Sequence, residues 1–308
     1  MPIGADKTDQ RAYIRELLQG ACDTHIHVEP DLLERQTDDL SLARYMLSIG
    51  WHGFVLKSHY FPTVERAQVV NRAVPGAHAY GAIALNHSVG GFNPVAVDLA
   101  GRAGARIVWL PTVDAANEST ERQRQRGEHR VPFWARIQQE IREKGISLAP
   151  LTVFDENGEL RSDLRTCLGL VADYGMALAT GHLDRDEIFT VVREAKRAGV
   201  DHVVVTHALF PAEALTIEEQ VELADLGALI EHCYTTFYTG KCDWDTLFDS
   251  IRAVGPDRCV LSSDLGQKVN PPIVDGLINF AERLLAAGFQ ERDVQLMMVD
   301  NTRRLVDR

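Results

Sequence analysis

Several absences narrow the reading before any motif does. Cysteine is scarce: Cys22, Cys167, Cys233, Cys242 and Cys259 are odd in number, widely spread, and form no CxxC pair. That excludes a disulfide framework and a zinc ribbon, and points to reduced thiols. No apolar run approaches the ~20 residues needed to cross a bilayer. The first ten residues are polar and lack the apolar core of a secretory signal. Positive charge is in deficit, with 32 Lys and Arg against 44 Asp and Glu, a formal net charge of -12. Such a balance repels phosphate backbones and anionic membranes, which argues against nucleic-acid or membrane partners. Repeats, low-complexity tracts and linkers are also missing. The expectation is a cytoplasmic, soluble protein that acts on a small molecule. It would fold as one domain over residues 1–308, with self-association left open.

What is present is a rhythm. Hydrophobic residues make up 45% and charged residues 25%, which is globular composition, so the rhythm is that of a folded chain. Short apolar runs at 21–28, 53–60, 79–87, 105–113, 176–183, 202–209, 228–236 and 259–266 are rich in β-branched residues, as buried parallel strands are. Helical patterns lie between them at 40–49, 63–74, 186–198, 217–226 and 244–254. Gly50, Gly199, Gly227 and Gly255 punctuate helix ends.

Eight strands alternating with helices over roughly 250 residues have the size of a (β/α)8 TIM barrel. A doubly wound α/β sheet is the competing fold. Polar residues at the C-terminal ends of seven of the eight runs favour the barrel, which would gather them at one mouth. Two insertions interrupt it. Residues 114–132, after the fourth strand, read as a charged, solvated loop able to act as a lid. Residues 147–161 read as a β-hairpin turning at Asn157-Gly158, although their first half could be a barrel strand instead.

The strongest chemical signal is Asp23-Thr24-His25-Ile26-His27 at the end of the first run. Side chains alternate along a strand, so His25 and His27 share a side and can reach one divalent ion. Alone, the pair is a weak signal, and two packed histidines are the simpler reading. Three later run ends add to it: Thr180-Gly181-His182, Val205-Thr206-His207 and Ser262-Ser263-Asp264. Four imidazoles and one carboxylate at one barrel height suit zinc, manganese or a related ion. Lys57 and His59 close the second run on one shared face.

This ligand order, from His25 to Asp264, resembles the metal-dependent amidohydrolase superfamily of phosphotriesterases, dihydroorotases and deacetylases. The resemblance implies that His25, His27 and Asp264 hold a buried metal, and that His182 and His207 hold a second, more exposed one. It further implies that a metal-bound hydroxide attacks an amide, cyclic amide, lactone or ester. Asp264 would take the proton from that hydroxide and pass it to the leaving group. The fourth run, Ile107-Val108-Trp109-Leu110-Pro111-Thr112, lacks the bridging lysine or glutamate that many binuclear members carry there. Lys57 is therefore expected to bridge two metals, most simply two Zn with Mn as the other choice, after carboxylation of its amine by CO2, with His59 beside it. A cationic Lys57 that binds an anionic substrate group is the alternative.

Other polar residues are candidates of a second order. His87, which closes the third run, could contact substrate or transition-state oxygen. In Glu231-His232-Cys233-Tyr234 only alternate residues can face inward, and His232 and Tyr234 are taken as the inward pair. Gln267 and Asn270 could touch substrate, and Trp109, Phe92 and Tyr238 could line its pocket. His52, His78 and His202 precede strands and belong to the stability end of a barrel. His129 sits in the charged insertion and is expected to be solvated. Competing functions are a mononuclear decarboxylase of the same superfamily, to which His25-Ile26-His27-Val28-Glu29-Pro30 is similar, a phosphoesterase, and a metal-retaining binding barrel without turnover.

Overall fold

The structure, a computed structural model, describes residues 7–126 and 135–307. The expectations for His129, for residues 127–132 of the charged insertion and for residues 1–6 lie outside these.

The strands are short, parallel and buried on both faces. They are β1 (Cys22–Ile26), β2 (Gly53–Leu56), β3 (His78–Tyr80), β4 (Ala82–Ala84), β5 (Ile107–Trp109), β6 (Ala177–Ala179), β7 (Val203–Val205), β8 (Ala228–Cys233) and β9 (Cys259–Ser262). One sheet has the order β1-β2-β3 and the other β4-β5-β6-β7-β8-β9. They meet at two seams. At the first, β3 and β4 are one run broken only at Gly81, whose carbonyl accepts from Arg106 N at 2.9 Å. A Cβ at Gly81 would lie 2.4 Å from Val64 Cα, so the backbone approach there requires glycine. At the second seam, Asp264 N donates to His25 O and His27 N donates to Leu265 O, both at 2.8 Å. Eight strand positions thus follow one another round a TIM barrel, as the periodicity predicts.

Alternation along the strands divides the core in two. Outward side chains such as Phe54, Ile83, Val108, Leu178 and Ile230 pack against the helices in the larger cluster. Inward ones form a smaller plug of Cys22, Val55, Ala82, Ala84, Ile107, Trp109, Ala177, Ala179, Val204 and Val260, with Leu305 and Val306 beside them. The inward series sets the phase of everything beyond it. Val55 leads to Lys57, and Leu229, packed on the plug, leads to Glu231 and Cys233.

Every regular strand stops earlier than its apolar run. The run 176–183 contributes only Ala177–Ala179 to the ladder and 202–209 only Val203–Val205. At these two runs the polar residues beyond the ladder, among them His182 and His207, form the mouth. The Asn157-Gly158 turn is present, with Gly158 at φ +79° and an antiparallel bridge between Phe154 and Leu160. The first half of 147–161 joins neither sheet as a strand. Glu187 fastens this segment, accepting from Thr152 Oγ1 (2.6 Å) and Val153 N (3.0 Å) while completing the Asp184 capping box of helix Arg185–Arg197. The charged insertion after β5 is not simply a solvated loop. It forms a short 3-10 turn, Ala116–Glu118, and a helix, Thr120–Gln125, and it buries Glu118 and Gln123. No described helix is long and apolar enough to cross a membrane.

Candidate metal centre

Five imidazoles form a ring at the mouth. Neighbouring ring centroids are separated by 5.7 Å (His25–His27), 4.9 Å (His27–His59), 5.9 Å (His59–His182), 5.0 Å (His182–His207) and 6.0 Å (His207–His25). All five are buried. Asp264 Oδ1 lies 3.3 Å from His25 Nε2 and 3.2 Å from His27 Nε2. The ligand atoms of His25, His27 and Asp264 all fall within 4.8 Å of one another, a two-nitrogen, one-oxygen set. Lys57 Nζ enters the same space, 2.7 Å from His25 Nε2 and 5.4 Å from the centroid of Trp109 below it.

Buried carboxylates hold three of the histidines from behind. Glu231 lies 3.2 Å from His25 Nδ1, Glu118 2.9 Å from His182 Nδ1, and Glu213 3.0 Å from His207 Nδ1. With Nδ1 engaged, the Nε2 lone pair is the one left for a ligand, the arrangement by which carboxylates fix metal-binding imidazoles. Sequence reading missed all three glutamates. Glu231 carried a usable signal, since it is in phase with the inward Leu229. Glu118 was concealed in the charged insertion, and Glu213 approaches its histidine only through a loop.

The electrostatics fit neutral ligands. Burial pulls His27 from 6.5 down to about 3, and it also lowers His59, His182 and His207, with the charge of Lys57 acting in the same direction. Burial would raise the carboxyls of Asp264 and Glu231. The imidazoles they face reverse this, holding Asp264 well below the usual carboxylate range and Glu231 at about 2. Burial pushes the Lys57 ammonium down against the pull of Asp264 and Glu231. Two ligand candidates, His207 (φ +29°) and Asp264 (φ +50°), have positive φ without being glycine. Such strain persists only where the surrounding structure enforces it.

Above the ring opens a cavity of about 670 Å³, lined among others by His27, Lys57, His59, His182, His207 and Asp264. Gln267 and Asn270 line it as the sequence suggested, tied to each other at 2.9 Å. His59 also lines it, its Nδ1 2.9 Å from Thr112 Oγ1. Three predicted residues are elsewhere. His87 turns away, its Nε2 2.6 Å from Ala149 O, because the chain enters a 3-10 turn directly after Asn86. His232 faces the helix layer, 3.4 Å from Ser250 Oγ, since the inward phase of β8 belongs to Glu231 and Cys233. Tyr234 begins a helix instead of continuing the strand, and its hydroxyl donates to Asn279 at 3.1 Å. Trp109 and Phe92 are core residues and Tyr238 is half-exposed, so none of the three lines the cavity.

The barrel fold is shared with solved structures that include an amidohydrolase, a probable dipeptidase and a lactonase. The structure is similar over 98% of both chains to an amidohydrolase from Pseudomonas aeruginosa (TM-score 0.63, 14% identity). A probable dipeptidase, PvdM, from the same organism gives TM-score 0.63 at 12% identity, over 97% of this chain and 98% of that one. A PTE-like lactonase variant from Deinococcus radiodurans gives 0.54 at 13%, over 94% and 97%. These likenesses establish the fold. In sequence, residues 20–231 match the model of a family of unknown function, DUF6282, and the chain belongs to that family. The matched span includes every site histidine and all three supporting glutamates, and ends before Asp264. No curated protein matches the chain.

Proposed function

We propose that this chain is a metal-dependent hydrolase of small molecules that cleaves an amide, cyclic amide, lactone or ester. The observation that carries the reading is the carboxylate-backed imidazole ring converging with Asp264 beneath a cavity. Its donor set fits a divalent cation: neutral imidazole nitrogens converging with an ionised carboxylate. His25, His27 and Asp264 would hold one ion, and His182 and His207 a second, zinc being the first choice and manganese the next. When bound, such ions supply Lewis acidity and bring the pKa of water from 15.7 towards roughly 7.

The residues of the chain perform the rest. Glu231, Glu118 and Glu213 keep His25, His182 and His207 in one tautomer and one orientation. Asp264, ionised at rest, would take a proton from the attacking water on a carboxylate oxygen and return it to the leaving group. Lys57, buried beside His25 Nε2, is positioned to bridge two ions if its amine is carboxylated by CO2. A cavity of about 670 Å³ limits the substrate to a small molecule.

Elemental analysis of the purified protein tests this, followed by an ester, lactone and amide panel with metal-stripped protein as control. About two equivalents of metal per chain, with turnover that is lost on stripping and restored on reloading, supports the reading. About one equivalent, with Lys57 unmodified by mass spectrometry, redirects it to a mononuclear decarboxylase. No metal after reconstitution overturns it.

A further inference from the structure

The cavity differs in charge from the molecule around it. The chain as a whole has 32 basic and 44 acidic residues, yet four cationic side chains line the cavity, Arg35, Lys57, Lys241 and Lys268, against three carboxylates. Each carboxylate is already engaged: Glu34 with Lys268 (2.7 Å), Glu118 with His182, and Asp264 with His25 and His27. Of the cations, Lys241 has no carboxylate partner among the described residues, and Arg35, although paired with Asp31, engages that carboxylate through only two of its three guanidinium nitrogens.

Arg35 is buried, with its side chain only 5% exposed. Its backbone is held by a bridge to Gln267 and by donation from its N–H to Glu29 Oε1 at 3.1 Å. Its Nε and Nη2 both address one oxygen, Asp31 Oδ2, at 2.7 and 2.6 Å. Nη1 has no acceptor among the described residues. Lys241 is exposed at the opposite loop and has no carboxylate partner among the described residues. Its ammonium lies 4.6 Å from the centroid of Phe210, whose ring is in turn 5.1 Å from that of His207. Phe210 therefore spans the distance from this charge to the imidazole ring. Leu33, Phe210 and Val269 supply apolar wall between these polar groups.

We infer that Arg35 and Lys241 form a carboxylate-binding subsite, and that the natural substrate is a small apolar molecule bearing a free carboxylate. The inference rests on the hydrolase reading for the position of the scissile bond, but the subsite itself is built only from these side chains. A guanidinium pre-positioned by Asp31 loses little entropy on binding and offers a directed donor. A cleft less acidic than the surface around it favours anions there over the rest of the protein. Lys241 adds a second, mobile charge above an apolar ring suited to the substrate's hydrocarbon body.

The test is calorimetric titration of metal-loaded and metal-stripped protein with benzoate and hippurate, each against its neutral primary amide. Stripped wild type should bind each carboxylate at least tenfold tighter than its amide. K241M should lose about fivefold of that preference, and R35M nearly all of it. Because R35M leaves Asp31 without its partner, circular dichroism and metal content are followed, and K241M, whose side chain makes no hydrogen bond, decides if R35M fails to fold. Equal binding of acid and amide by stripped protein, or a preference untouched by K241M, overturns the subsite. The two readings fail separately. Carboxylate binding without any metal-dependent turnover removes the hydrolase and leaves the subsite. Turnover of neutral esters as fast as of acidic ones, with an unchanged KM in K241M, removes the subsite and leaves the hydrolase.

Discussion

Histidines collect at both ends of this barrel, and the two collections differ in what surrounds them. At the mouth, five rings converge, and three carry a buried carboxylate at Nδ1. At the opposite end, His52 and His78 stack face to face, 4.5 Å apart and 9° from parallel, with Tyr80 continuing the stack. There the polar contacts of His52 are Tyr80 Oη at 2.6 Å and Asp307 at 3.2 Å, groups that consume its Nε2. His52 spends its Nε2 on neighbours, whereas His182 and His207 are held at Nδ1 and line a cavity. What distinguishes a metal centre from a packed cluster is which nitrogen is left over, not how many histidines are present.

The comparison breaks most readily at Asp264. Replacing it with Asn removes the anionic oxygen and the proton acceptor together, so kcat/KM for the best panel substrate should fall by about 10³-fold, within the range for a lost general acid–base group. A decrease under tenfold would remove Asp264 from the chemistry. Glu118→Gln and Glu231→Gln keep shape and lose charge behind a ligand. Each should cost about 10- to 100-fold in metal affinity, read by competition with a chelator.

A smaller effect separates the ends by pH. In metal-free protein His27 is neutral, with its folded value near 3 against an unfolded 6.5. The unfolded chain therefore binds more protons between those values, and the stability this contributes is complete above 6.5 and lost as pH falls towards 3. Urea midpoints measured at pH 7 and pH 5 should drop on acidification, and bound metal should blunt the drop. Least is expected at the lower end: His78→Ala, exposed and without a ligand role, should shift stability by less than about 0.5 kcal/mol and leave kcat unchanged. A loss of activity there would erase the distinction between the two clusters.

Much of this was legible in the sequence because strands and ligands repeat in register. The eight apolar runs mark the barrel, and His25, His27, Lys57, His59, His182, His207 and Asp264 all stand at run ends that the fold brings together. The errors have two causes: period-two alternation needs a known phase, and it holds only while the strand lasts. At β8 the choice between His232 and Glu231 depended on the phase of Leu229, an apolar residue that looked uninformative by itself. Tyr234 and His87 fall where the chain has already turned into helix. Glu118 and Arg35 were unreadable for another reason: charged residues in loops are normally solvated, and only the tertiary structure buries these two.

The seam between β1 and the segment after β9 has a consequence for how the protein comes to be. His25 and Asp264 meet there, through backbone hydrogen bonds joining the first strand to the last. A chain emerging from the ribosome exposes both histidines of the HxH pair well before their carboxylate partner. Until the final strand docks, Asp264 cannot reach His25 and His27. The site is thus assembled by the same event that completes the ring, and partly synthesised chains lack its full ligand set.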